Sequence, residues 1–229
     1  MKTIGMIGGM SWESSLEYYR IINDTVKKRL GGFHSAKIIM YSVDFAEIEA
    51  LQSAGKWEES GWVLADAAKR LERGGADFMI LCTNTMHKLK DDIERAVSMP
   101  MLHIADAASS RILSLGMKKI GLLGTRFTME QDFYKDRLAE GGLSVMIPEK
   151  DDRDTVHNII YDELVKGVIK PESREKYKQI ISRMSDQGAE GIILGCTEIG
   201  LLIKQQDCSA PLFDTTQIHA EAAAEYALK

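Results

Sequence analysis

Two stretches of the chain end an apolar run in a cluster of thiols, hydroxyls and carboxylates. In FMILCTNTMH, residues 78–87, four strand-like residues give way to Cys82, Thr83, Asn84, Thr85 and His87. In GIILGCTEIG, residues 191–200, the same change of character brings Cys196, Thr197 and Glu198. A thiol in such a place is suited to nucleophilic or acid/base work. It ionises near pH ~8.5 when free, and a helix N-terminus lowers that value and makes the thiolate accessible. The backbone N–H groups that follow each run, at the start of a helix, suit a carboxylate or a phosphate.

Positioning such loops requires strands behind them. Short apolar runs alternate with segments of helical period, the pattern of a parallel sheet flanked by helices. Strands are expected at 3–7, 37–43, 78–81 and 101–104, with helices at 12–30, 56–73 and 86–97. The order then restarts: strands at 119–123, 144–147, 191–194 and 211–213, helices at 129–139, 154–166 and 171–186, and a terminal helix. Three matches in the same order point to an internal duplication. IGMIGG at 4–9 aligns with IGLLGT at 120–125, GADFMILCTNT at 75–85 with GAEGIILGCTE at 188–198, and PMLHIAD at 100–106 with PLFDTTQ at 211–217. The expected α/β fold has two similar pseudo-symmetric lobes, each a short, mostly parallel sheet flanked by helices. Lobe one is 1–104 plus 212–229 and lobe two is 105–211, the terminal helix packing back on the first. Ligands of such sheets bind beyond the carboxyl ends of the strands. The active site is therefore expected in the interlobe cleft, among the loops 8–11, 82–85, 124–128 and 195–198.

The repeat changes which residue in the first stretch matters. In the shared register Cys196 falls on Thr83, while Cys82 falls on Gly195. Side chains near a strand end alternate faces, so Cys82 is expected to point into the core and Thr83 toward the ligand. The symmetric functional pair is Thr83 and Cys196.

Composition excludes several alternatives. A net charge of -5 with no clustered basic run provides no footprint for nucleic acid or an anionic membrane surface. No segment approaches the ~18 apolar residues of a membrane span. Three cysteines form no disulfide framework and suggest reduced thiols and a cytoplasmic location, and the N-terminal apolar run is too short for a signal peptide. GMIGGM is not the dinucleotide fingerprint, and no phosphate-binding loop of the GxxxxGK type occurs. Cys82 and His87 lack a second pair at metal-ligand spacing, so no metal is expected. Cys208 in KQQDCSAP reads as an exposed loop thiol, His87 as an early helix residue, His219 as a surface or interlobe residue, and Met6 and Met79 as core.

GGMSWESS, CTNTMH, GCTEIGLL and FDTTQIHAEAA together resemble the aspartate/glutamate racemase family of cofactor-independent amino-acid racemases, along essentially the whole chain. The resemblance implies the two-lobe fold, an amino-acid substrate, no cofactor and a homodimer. It also implies inversion of an α-carbon by one base that removes a proton and an acid opposite that returns one, usually two cysteines. Here that pair is Cys196 and Thr83, a thiol and a hydroxyl, so the catalyst is expected to be asymmetric. The resemblance further implies substrate contacts from Met10, Ser11, Gln52, Thr83, Asn84, Thr85, Thr125, Lys166, Thr197 and Glu198. Aspartate-specific members carry an arginine after the second strand, where this chain has Glu47 and Glu49, which leaves side-chain specificity open. Two other functions fit the same residues: a single-cysteine decarboxylase or isomerase of a related carboxylate, and a non-catalytic amino-acid-binding module.

Overall fold

The structure is a computed structural model that describes residues 1–229. It divides into two compact units, Met1–Ile104 with His219–Lys229, and Ala105–Ile218. The first unit is built on β1 (Ile4–Gly8), α1 (Trp12–Leu30), β2 (Ile38–Ser42), α2 (Phe45–Ser53), α3 (Trp57–Arg73) and β3 (Phe78–Leu81). A 3-10 segment, Thr85–Leu89, leads into the short α4 (Lys90–Glu94), and α5 (Ile104–Ser114) begins as the chain leaves. Its sheet is parallel, in the order β2-β1-β3.

Local sequence accounts for these elements. Ser11 caps α1, its hydroxyl accepting from the Ser14 N–H, and Tyr18, Ile21, Ile22 and Val26 form the buried stripe. Lys27, Lys28 and Arg29 face the negative end of the helix dipole, and the positive φ of Gly31 ends it. Alternation along β3 sends Met79 and Leu81 into a cluster with Ile7, Leu64 and Leu71. Phe78, Ile80 and Cys82 enter another, with Ile4, Met6, Tyr18, Ile22, Ala223 and Ala224.

The second unit repeats the plan. It contains β4 (Lys119–Gly124), α6 (Arg126–Glu130), α7 (Asp132–Glu140), β5 (Ser144–Met146), α8 (Lys150–Asp162) and a 3-10 turn at Leu164–Lys166. Then come α9 (Pro171–Asp186), β6 (Gly191–Gly195), α10 (Ile199–Leu202), a further turn at Gln205–Asp207, β7 (Leu212–Asp214) and the first residues of α11 (Thr215–Leu228), which belongs to the first unit from His219 on. Its parallel sheet has the order β5-β4-β6-β7. Registers agree as well as orders: Ile4 pairs with Phe78 in the first sheet, and Ile120 with Gly191 in the second. The fourth strand is the difference. In the first unit it shrinks to one parallel bridge, Met79 to Met101. The Met79 N–H still donates to Pro100 as the Ile192 N–H donates to Pro211, but Ile104 already starts α5.

Several expected boundaries shift. The helix expected at 129–139 splits because Gln131 is extended, at φ -82 and ψ 152. The one at 86–97 is a 3-10 segment followed by α4, and the one at 154–166 starts earlier, at Lys150. Neither α2 nor α5 was legible; only Ile48 and Gln52 of α2 are buried, which leaves little period to read. The second crossing between units falls at Ile218/His219 rather than at 212, because Leu212–Asp214 pairs with β6. No helix is long and apolar enough to cross a membrane.

Candidate active site

In the first unit the sequence-predicted residues gather at the carboxyl ends of β1 and β3. Gly9 turns the chain at φ 92 so close to β2 that a Cβ would lie 2.2 Å from the Val43 carbonyl oxygen, which only glycine permits. Its N–H donates to the Ser15 hydroxyl at 2.8 Å, and the Ser15 hydroxyl donates to the Ser11 carbonyl at 2.9 Å. Met10 and Ser11 are buried in this turn, with the Ser11 hydroxyl committed to capping α1. The Ser14 hydroxyl reaches the Cys82 carbonyl at 3.4 Å, joining the first loop to the one after β3. Thr83, Asn84 and Thr85 follow, all buried, with Thr83 8% exposed. Gln52 is buried near the end of α2.

Cys82 is 0% exposed and continues the face of Phe78 and Ile80 into the core. Burial alone pushes its thiol far above the ordinary range. In the second unit Ile192, Leu194 and Cys196 share a face and a cluster with Tyr177, Ile180 and Met184. With the two registers superposed on Phe78 and Gly191, Thr83 and Cys196 are the same position of the repeat and Cys82 is the position of Gly195. A side chain at Gly195 has no room: its Cβ would lie 2.8 Å from a Leu122 methyl and 3.0 Å from the Leu123 carbonyl oxygen.

Around Cys196 the second unit builds a compact polar group. Cys196 is 8% exposed; its thiol donates to Glu198 Oε2 at 3.1 Å, and the Thr197 hydroxyl donates to the same oxygen at 2.8 Å. The thiol is held well above its usual range, first by burial, then by the charge of Glu198 and the hydrogen bond to it. Backbone N–H groups of Glu198 and Ile199 act the other way and are outweighed. The expectation of a thiol made acidic by a helix N-terminus is thus corrected. α10 has only four residues and so few aligned peptide dipoles, while burial disfavours the thiolate. The resting group is a thiol with a carboxylate proton acceptor beside it. Glu198, expected to contact substrate, is the partner of Cys196 here, a role that the two-residue spacing did not signal.

The remaining residues are placed as follows. Thr125 caps α6 through its hydroxyl, which lies 3.2 Å from that of Thr128. Lys166 is exposed at the end of its 3-10 turn, and that turn packs against α10, just beyond Glu198. Cys208 is half-buried against the second unit's core rather than exposed. His219, expected at the surface or between lobes, is 0% exposed inside the first unit. It is held by the Tyr18 hydroxyl at 2.9 Å and the Leu102 carbonyl at 2.8 Å. No group of His, Cys, Asp or Glu is arranged to hold a metal ion.

The chain is similar in sequence and fold to known racemases. The family model described as Asp/Glu/hydantoin racemase matches residues 7–223. The broad specificity amino-acid racemase RacX of Bacillus subtilis is 27% identical over 168 residues, covering 72% of this chain and 71% of its own length. Two solved structures align over 100% of both chains. A candidate Asp/Glu racemase from Yersinia pestis is 56% identical with a TM-score of 0.93. An aspartate racemase homologue from Pyrococcus horikoshii is 39% identical with a TM-score of 0.87.

Proposed function

The chain belongs to the Asp/Glu/hydantoin racemase family and is an amino-acid racemase, and from that premise we propose that Cys196 is its principal acid/base and Thr83 the opposing proton donor. The observation that carries this reading is the buried Cys196 thiol bonded to Glu198 at 3.1 Å. A thiol that rests protonated needs an acceptor before it can act as a base, and Glu198 is already in place. The proton passes from Sγ to Oε2, leaving a thiolate. The thiolate takes the α-proton of the bound amino acid and becomes a thiol again, and the electron pair of the broken C–H bond stays on the α-carbon, shared with the substrate carboxylate. Thr83 gives its hydroxyl proton to the other face and is replenished from solvent, while Glu198 returns its proton to solvent.

Backbone N–H groups at Thr83, Asn84, Thr85 and Thr197 are proposed to hold the substrate carboxylate, where charge develops in the transition state. Met10, Ser11, Gln52, Thr125 and Lys166 are proposed to shape the rest of the substrate site. A hydroxyl is a far weaker acid than a thiol, so inversion through Thr83 is the slow half of the cycle, and the two directions differ in kcat at saturating substrate while kcat/KM stays equal in both, as an equilibrium constant of one between enantiomers requires. Glu47 and Glu49 stand after the second strand, where the family resemblance places an arginine in aspartate-specific members, so the proposed substrates are aspartate and glutamate or a broader set of amino acids. The need for a reduced Cys196 suits a cytoplasmic location, and a homodimer is proposed on family resemblance.

The test is a panel of L- and D-amino acids in deuterated water, read by mass and chiral analysis. Deuterium at the α-carbon of at least one member, abolished by Cys196→Ala, is the expected result. Absence of exchange across acidic, neutral and basic members would overturn the reading, and consumption of a malonate-type acid would show a decarboxylase.

A further inference from the structure

His87 is 2% exposed in the 3-10 segment that follows Thr83, and both of its ring nitrogens are engaged. Nδ1 lies 2.7 Å from the Thr83 carbonyl oxygen, and Nε2 lies 3.4 Å from the Ile104 N–H. A carbonyl only accepts and an N–H only donates, so the ring carries its hydrogen on Nδ1 and accepts at Nε2. A hydrogen on Nε2 would face the Ile104 N–H donor and leave a bare Nδ1 against the Thr83 carbonyl oxygen, so neither contact would be a hydrogen bond. The ring is confined by its neighbours: His103 stacks edge-on with centroids 4.4 Å apart, and His219 lies 6.0 Å away. The Ser14 hydroxyl holds the preceding carbonyl, that of Cys82, so two successive carbonyls of this loop are tied down from behind.

The second unit has no counterpart. The matching position is Gly200, where a Cβ would lie 2.2 Å from Asp214 Oδ2. Asp214 takes the place of His103 in the repeat and spends its carboxylate on the start of α11, accepting from the N–H groups of Thr216 at 2.9 Å and Gln217 at 3.3 Å. There the Cys196 carbonyl takes the Ile199 N–H at 3.1 Å instead. The supports therefore differ in kind: Cys196 has a carboxylate on its thiol, and Thr83 has a ring on its carbonyl. A thiol accepts a proton over a broad range of approach, whereas a hydroxyl as poor an acid as that of threonine delivers one only when its backbone aims it.

We propose that His87 is a positioning residue for Thr83, its Nδ1–H bond to the Thr83 carbonyl fixing the loop from which the hydroxyl returns a proton to the substrate; this rests on the racemase reading above. Burial and the neighbouring His103 and His219 keep the ring uncharged down to acid pH, which preserves the acceptor at Nε2.

The experiment follows one enantiomer in deuterated water. Deuterated product with retained configuration reports return from Cys196, and inverted product reports delivery from Thr83. Their ratio is independent of how much of a variant is folded. His87→Ala is expected to lower the inverted-to-retained ratio about tenfold, the cost of one buried hydrogen bond in the transition state. Asparagine places an N–H near the position of Nδ1 and glutamine near that of Nε2, so His87→Asn is expected to restore most of the ratio and His87→Gln to restore little. An unchanged ratio in His87→Ala, or rescue by glutamine in place of asparagine, overturns the proposal. Nitrogen NMR on the unmodified protein supplies a second check: His87 must be the Nδ1–H tautomer, and the other tautomer refutes the geometry. A protein that exchanges no α-proton at all sinks the racemase reading and this role with it, whereas failure of this role alone leaves exchange intact with the ratio unmoved.

Discussion

Replacing Glu198 by glutamine should make Cys196 easier to ionise and yet worse as a catalyst. The side chain keeps its shape, and its amide oxygen can still accept from the Thr197 hydroxyl, now 2.8 Å from Oε2. Its negative charge is gone, along with its capacity to take the thiol proton across 3.1 Å. Burial remains the first cause of the raised thiol pKa, but the charge and the hydrogen bond of Glu198, which also raise it, are removed. The thiolate absorbance near 240 nm, taken as the difference from a Cys196→Ala partner so that Cys82 and Cys208 cancel, should therefore appear at lower pH than in the parent. Activity moves the opposite way. A bond between a thiol and a buried carboxylate contributes about 1.5–3 kcal/mol, which corresponds to a loss of about 10- to 150-fold when it also organises the transition state. Loss of general-base assistance puts the expectation at about 100-fold in the initial rate of α-deuterium exchange near neutral pH. If the thiol titrates higher, the attribution of its raised pKa to Glu198 is wrong. If exchange is unchanged, the carboxylate is not the acceptor of the Cys196 proton.

Thr83→Cys completes a two-thiol pair and should raise the inversion rate by about 100-fold, the scale of a well-matched general acid; a fall in rate with retained exchange would show that Thr83 is not the opposing donor. Stability should carry the signature of His87, whose pKa is well below the ordinary 6.5. Between that value and its own, the unfolded chain holds a proton that the folded one lacks, so stability is lost as pH falls below about 6.5, at up to about 1.4 kcal/mol per pH unit. Urea titrations at pH 7, 6 and 5 should show that loss to be smaller in His87→Asn, and parallel curves would contradict it. Gly200→Ala pushes a Cβ to 2.2 Å from the Asp214 carboxylate and should destabilise the protein by about 1–3 kcal/mol in urea unfolding. No change in midpoint would mean that Asp214 yields without disturbing its cap on α11.

Much of the arrangement was legible because the chain states it twice. Strand ends at Gly8, Leu81, Gly124 and Gly195 follow from apolar runs that break at polar or glycine residues, and the repeat gives Thr83 and Cys196 the same register position. The failures share a cause. α2 buries too few side chains to show a period, Gln131 breaks a helix through a backbone angle that its sequence neighbourhood does not announce, and the 101–104 strand gives way to α5 at Ile104, whose N–H is bonded to His87. The surface reading of His219 failed because its partners, Tyr18 and Leu102, lie far away in sequence.

By itself the sequence determined which residues share a face and which positions repeat, because side-chain alternation and strand register are set by neighbours along the chain and by one pairing partner. It therefore put Thr83, and not Cys82, at the repeat position of Cys196. Only the tertiary structure decided the charge state of that pair's surroundings: a thiol kept protonated by burial with Glu198 beside it, and a histidine kept neutral among two others behind Thr83. Proton affinity depends on how much solvent and which charges surround a group in space, and those surroundings are drawn from segments that meet only when the chain has folded.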